Sequence, residues 1–301
     1  MTPPRPRSPH MQSGFTLVEL IMVIVILGVI GGTVAVFMKG PIDAYFSGGR
    51  RAALTDVADT AVRRMARDIR RALPNSVRTN GTTCLEFIPT KTGGRYRVQD
   101  NAVGDSLDFS TLDTKFNMLG SNIALPVDQQ IAVNDLIVVY NLGIVGADAY
   151  DVSNASGGRN WTFVSAATSE PGTYNPVETV IPIKAFKFPW PSGDNRFHVV
   201  PATEQMVSYV CDAATSKLLR VSSTAPTVAG TSCPTTTTAG VATASVIATN
   251  VVCNGAGASS FTYAGSDLQR NALVTMVLSI QDSSLTETVN LQHEVHVDNT
   301  P

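Results

Sequence analysis

Gly14-Phe15-Thr16-Leu17-Val18-Glu19 opens the stretch that decides this chain, and Leu20–Met38 completes it with nineteen residues that carry no charge. At about 1.5 Å of rise per residue, a helix over Leu20–Met38 just spans a bilayer core of roughly 30 Å. Before it stands a polar leader, residues 1–14, with Arg5 and Arg7 and no acid. Pro3, Pro4, Pro6 and Pro9 keep that leader from being helical. One carboxylate, Glu19, lies just inside the apolar run, where a charge is costly and marks a functional candidate. With both arginines cytoplasmic, the positive-inside rule sends everything after Met38 outward. An ordinary secretory signal would be cut behind its apolar region, and Gly32-Thr33-Val34-Ala35 offers a poor site for that.

Working outward, Gly28, Gly31 and Gly32 loosen the helix or let it pack closely, and Pro41 with Gly48-Gly49 marks a second weak point. Over residues 51–73, Leu54, Val57, Ala58, Ala61, Val62, Met65, Ile69 and Leu73 recur at three- and four-residue steps. The other face carries Asp59, Arg63, Arg67, Arg70 and Arg71, with Asp59 and Arg63 spaced for an i,i+4 pair. Pro74 is the expected stop. Such a half-apolar helix needs a sheet to lie on, and short β-rich runs follow. They are Leu85–Ile88, Tyr96–Val98, Leu136–Tyr140, Thr179–Ile183, Phe197–Val200, Met206–Cys211, Leu218–Val221, Leu273–Ile280 and Thr288–Val297. Thr92-Gly93-Gly94 and Pro191–Asp194 read as turns, and the Ser-, Thr-, Ala- and Gly-rich residues 222–260 read as an exposed loop. The fold class is therefore α+β, a long N-terminal transmembrane and amphipathic helix packed on an antiparallel β-sheet domain. The expected boundaries are 1–14 leader, 15–38 transmembrane helix, 39–74 periplasmic continuation of the helix and 75–301 β-rich globular domain.

With 301 residues and 44% hydrophobic content, the chain has enough material for one soluble domain beyond the helix. It is near neutral, with 22 basic and 24 acidic residues, and loss of Arg5 and Arg7 leaves a net −4. Residues 50–71 hold seven Arg and three Asp, so the rest of that shortened chain carries −8. A basic helix beside an acidic domain suggests contacts between subunits, though a solvated face accounts for it about as well, and the acidic domain argues against nucleic acid as a partner. Cys84, Cys211, Cys233 and Cys253 all follow the membrane helix without a CxxC pair, which favours disulfides over metal or redox chemistry. Three connectivities are open; the preferred one joins Cys211 to Cys233 and Cys84 to Cys253.

Nothing supports catalysis, a cofactor or a metal. His293-Glu294-Val295-His296 is one residue short of a helical zinc pair, and on a strand its two imidazoles face opposite ways. Asp148 and Asp151 sit in a polar loop near Gly143 and Gly146 without a calcium-ligand ladder, so a solvated turn is expected. Trp161 and Trp190 are expected in the core. There is no G-x-S-x-G, P-loop or G-x-G-x-x-G.

The order polar leader, Gly14-Phe15, Thr16, Glu19, apolar helix resembles the signal of type IV prepilins and type II secretion pseudopilins. That resemblance implies the helix-plus-domain "lollipop", cleavage after Gly14 by prepilin peptidase, and N-methylation of Phe15. It also implies an assembly salt bridge from Glu19 to the Phe15 amine, within a subunit or on the preceding one. The implied partners are other minor and major pilins and an inner-membrane assembly platform. The implied location is a single pass through the bacterial inner membrane with the C-terminal domain periplasmic. A finer likeness lies further along. Ile247–Cys253, Phe261-Thr262-Tyr263 and Leu273–Leu278 are similar to J-type pseudopilins. Cys84–Pro89, Val207–Cys211 and Glu287–Pro301 are similar to minor pilins of the mannose-sensitive haemagglutinin (MSHA) pilus. The expectation is a non-enzymatic minor pilin. A type II secretion pseudopilin is the nearest rival, and a membrane-anchored periplasmic binding protein or enzyme the more distant one.

Overall fold

The computed structural model describes residues 14–101, 104–152, 159–172, 177–224, 241–265, 271–284 and 287–301. They belong to two compact units, Met1–Ala52 and Ala53–Pro301. Helix α1 (Leu17–Ile69) contributes to both, with 53 residues that include Pro41. The expected weak point at Pro41 and Gly48-Gly49 does not interrupt it. A proline removes one amide donor at a cost of about 3 kcal/mol, which a helix of this length absorbs. The end comes earlier than Pro74. Arg71 N–H donates to Asp68 O (3.0 Å) and Ala72 N–H to Ile69 O (3.0 Å), tightening the last turn, while Leu73 N–H turns to Ile88 O at 2.8 Å. A partner beside a strand, not the proline, takes the chain out of the helix.

Among the described residues, fourteen strands follow in the second unit. The first seven are β1 (Arg78–Asn80), β2 (Cys84–Phe87), β3 (Thr92–Arg95), β4 (Asp113–Leu119), β5 (Leu136–Val139), β6 (Trp161–Phe163) and β7 (Glu178–Phe186). The rest are β8 (Arg196–Val200), β9 (Met206–Asp212), β10 (Lys217–Ser223), β11 (Val241–Thr249), β12 (Ser260–Ala264), β13 (Asn271–Gln281) and β14 (Thr288–Asp298). They form antiparallel sheets ordered β1-β2-β9-β10-β11, β12-β13-β14, β3-β8-β5-β6 and β4-β7. The expected α+β architecture, a long N-terminal helix on antiparallel sheet, holds. Two turn or loop expectations do not. Residues 222–260 contain β11, which pairs along β10, and the start of β12. Thr92-Gly93-Gly94 lies in β3, where a Cβ at Gly93 would meet Phe197 O at 2.8 Å and one at Gly94 the Phe197 ring at 3.0 Å. These glycines permit close approach rather than a turn.

The helix stripe Ala58, Ala61, Val62, Met65, Ala66 and Ile69 is buried in one core. That core also holds Leu85, Phe87, Val207 and Leu218 of the five-stranded sheet and Val274, Met276 and Leu278 of the three-stranded one. Asp59 pairs with Arg63 at 2.6 Å on the solvent side, as the spacing requires. Asp68 does something its sequence position hides. It accepts the Tyr209 hydroxyl (2.8 Å) and Arg220 Nε (2.8 Å), while Arg220 forks onto Glu204 at 2.6 and 2.8 Å. Burial, and then the Asp68 charge, push the Tyr209 hydroxyl pKa far up, so it stays a donor.

β2 and β9 are neighbours, with Cys84 opposite Val210 and Phe87 opposite Val207, so everything between them is an insertion. The insertion builds its own core around Tyr96, Phe116, Ile137, Phe188, Phe197 and Val199. A third cluster, including Leu73, Ile88, Leu136, Trp161, Val200 and Met206, joins it to the helix-bearing sheets. Trp161 is buried as expected; Trp190 is 58% exposed and is no core residue. The disulfide preference is also corrected. Cys211 bonds Cys253, which β10 and β11 bring back beside β9, and Cys84 is disulfide-bonded too. Cys233 lies outside the described residues.

Two predictions follow from these contacts. Asp68→Ala leaves the Tyr209 hydroxyl without its acceptor and Arg220 with Glu204 alone, and should destabilise the second unit by about 2 kcal/mol, read by urea unfolding of the full chain in detergent. The second concerns His198, whose Nε2 is buried without a hydrogen-bond partner. Burial, with help from Arg196 and against Asp298, lowers its pKa from 6.5 to about 4. The unfolded chain therefore takes up a proton that the folded chain refuses, and stability falls as pH drops from 6.5 towards 4. The loss reaches about 3 kcal/mol. His198→Gln should flatten that part of the pH profile relative to wild type.

Candidate functional site

The first turn of α1 is built by a cap. Thr16 is the last non-helical residue, and its Oγ1 accepts Glu19 N–H at 3.3 Å while its carbonyl accepts Glu19 and Leu20 N–H at 3.1 and 3.2 Å. Thr16-Leu17-Val18-Glu19 has the capping-box spacing, a helix-start signal that attention to the apolar run alone passes over. Only half of the box forms. The Glu19 side chain is exposed, and its carboxylate makes no hydrogen bond or ion pair among the described residues. It stands in the first turn, at the positive end of the helix dipole, available to an external cation.

Phe15, one turn from Glu19, is 85% exposed, and Gly14 before it is exposed and meets no atom that a Cβ would touch. From Gly14 to Phe46 every residue is exposed, and Leu20–Met38 is apolar on all sides. This part of α1 is long and apolar enough to cross a membrane. A helix that is hydrophobic all round has no stable place in water and needs lipid or neighbouring helices. Arg5 and Arg7 of the leader lie outside the described residues.

The other sequence candidates lie elsewhere and do not converge on this segment. In β14, His293 pairs across from Met276 on the more buried row and His296 from Leu273 on the exposed row, so the imidazoles diverge as expected. Asp148 is not simply solvated. It accepts Tyr150 N–H at 2.9 Å, and burial raises its pKa. The adjoining Tyr150 ring is covered by the Arg78 guanidinium at 3.5 Å.

Residues 9–35 match a protein-family model described as the Prokaryotic N-terminal methylation motif. No curated protein and no solved structure matches the chain. The chain thus carries the methylation motif of the type IV pilin and pseudopilin family, ahead of a helix-and-sheet unit. The motif implies processing by prepilin peptidase and assembly partners of the pilus type, and with the apolar helix it is consistent with an inner-membrane anchored prepilin.

The cap gives a local prediction. A Thr cap is worth about 1 kcal/mol, so Thr16→Ala should speed amide exchange at Glu19 about fivefold in detergent micelles. The unfolding midpoint of the second unit should not move.

Proposed function

We propose that the chain is a minor structural subunit of an MSHA-type type IV pilus, cut after Gly14, methylated on Phe15 and held in the inner membrane by residues 15–38 until it is assembled. The observation that carries this reading is the Glu19 carboxylate, unpartnered among the described residues, in the first turn of a helix with no aqueous place to go. Cleavage at Gly14 creates an ammonium on Phe15, which remains cationic after methylation. In lipid, each of these charges is costly alone and favourable as a pair. A pair between subunits therefore sets axial register, because sliding by one turn separates the charges.

The MSHA-type assignment is supported by the MSHA minor-pilin likeness at Cys84–Pro89, Val207–Cys211 and Glu287–Pro301. These pieces include β2 and β9, which pair with each other, and β14, which pairs with β13. They thus belong to the sheets that share a core with the helix. On this reading the second unit is a structural body without catalytic duty.

The test compares wild type with Glu19→Ala in the native membrane. Mass spectrometry should find both mature chains starting at N-methylated Phe15, and the wild type alone should co-purify with other minor pilins. The mutant's complex should be depleted at least about tenfold, the equivalent of 1.4 kcal/mol. A soluble product beginning near residue 35 would sink the pilin reading. Undiminished co-purification would make Glu19 a passenger, and recovery with secretion pseudopilins instead would move the chain to a type II secretion system.

A further inference from the structure

The solvent face of the last turns of α1, continued by the turn at Arg70 and Arg71, is strongly cationic. At about 100° per residue, Arg63, Arg64, Arg67, Arg70 and Arg71 fall within an arc of about 120°. All five are exposed, while Ala58, Ala61, Val62, Met65 and Ile69 on the opposite arc are buried. Arg63 is paired with Asp59, and Arg71 reaches Asp68 only at 3.8 Å. Arg64, Arg67 and Arg70 make no ion pair among the described residues. Three uncompensated guanidiniums on one helix face repel one another, an arrangement that an anionic partner relieves.

The same unit carries a complementary surface. Residues 72–301 contain 12 Lys and Arg against 19 Asp and Glu, a net −7. Strands β12, β13 and β14 contain no Lys or Arg. Their inner rows, with Val274, Met276, Val295 and Val297, join the core that holds the helix. Their outer row turns away from that core and exposes Glu294 and Asp298 on β14, opposite Thr275 and Asn271 of β13. Glu294 and Asp298 lie four residues apart, about 13 Å along a strand. Arg64 to Arg70 covers six residues, about 9 Å at helical rise. The two charge rows therefore overlap over most of their length and oppose in sign.

We infer that the arginine face of α1 docks on the acidic outer face of β12–β14 in a second copy of this chain. The two faces lie on separate elements of one molecule, so the contact is heterologous. It pairs unlike faces, so each copy can offer its arginines to a neighbour and take a neighbour's arginines in turn. This goes beyond the pilus-subunit reading, because it concerns the aqueous unit and holds whatever becomes of Phe15. Duplex nucleic acid fits the arginines less well. A row of about 9 Å meets only two or three phosphates on a strand, and the remaining net charge of −7 repels the rest of the duplex.

The test is self-association of the full chain in a zwitterionic detergent, followed by sedimentation at low and high salt. Wild type should associate at low salt and dissociate at high salt, since exposed pairs are screened. Arg64→Glu with Arg67→Glu and Arg70→Glu should weaken association about tenfold, as should Glu294→Lys with Asp298→Lys. All five substitutions in one chain should restore it, because the signs are then exchanged. Unchanged thermal unfolding of each variant shows that folding is intact. Association indifferent to salt and to both reversals would overturn the inference, and so would failure of the combined chain to recover. If a duplex DNA oligonucleotide binds wild type, is lost on arginine reversal, and self-association stays unchanged, the face belongs to nucleic acid and the inference falls.

Discussion

Burial of one stripe of α1 against two sheets is the contact on which the second unit rests. Ala58, Ala61, Val62, Met65, Ala66 and Ile69 supply that stripe, and three of the six are alanines. Small side chains bring the helix axis close to the strands, and the larger sheet residues, Phe87, Tyr209 and Phe261, fill the space. Apolar burial is strong but not directional. Left to itself it would allow the helix to roll or slide over the sheet. Asp68 removes that freedom, since its bonds to Tyr209 and Arg220 are met in one rotation of the helix only. The same rotation turns Arg64, Arg67 and Arg70 to solvent. The polar contact thus specifies what the apolar contact merely stabilises.

The insertion between β2 and β9 is tolerated for a related reason. Two strands already paired hold the ends of the inserted segment together, and the entropy of closing a loop grows only with the logarithm of its length. A long insertion then needs a core of its own to be ordered. The rings of Phe116 and Phe197, 5.3 Å apart and edge to face, and those of Phe186 and Phe188, 5.0 Å apart, lie in that core. Leu73, directly after the helix, sits in the cluster that joins the two cores, and Thr90 N–H and hydroxyl both donate to Arg71 O, so the helix end and the insertion are coupled at several points.

The two charged features of α1 work in different solvents. Glu19 stands on a segment long and apolar enough to cross a membrane, and in such surroundings neither salt nor water weakens an ion pair and an unmatched charge is costly. The arginine face belongs to the aqueous unit, where attraction decays over about 8 Å at physiological ionic strength. Contacts of the first kind enforce register and those of the second steer approach. On the proposed reading, the arginine face would guide a neighbour loosely in water and Glu19 would lock it in the apolar phase.

The sequence by itself determined whatever depends on near neighbours. The apolar run after Gly14-Phe15, with its single Glu19, is legible because transfer of side chains into lipid sums over consecutive residues. The buried stripe of α1 and the Asp59–Arg63 pair follow from helical periodicity, and β5, β9, β13 and β14 from runs of β-branched and apolar residues. Tertiary structure alone decided the rest. It joined Cys211 to Cys253 because β10 and β11 fold back beside β9, ended α1 at Ile69 because Leu73 found Ile88, and placed Gly93 and Gly94 in a strand because the backbone and ring of Phe197 leave no room for a side chain. It also drew Asp68 to Arg220, 152 residues away. Periodicity encodes which face of an element is apolar, whereas the partner that covers that face is set by competition among all the elements at once.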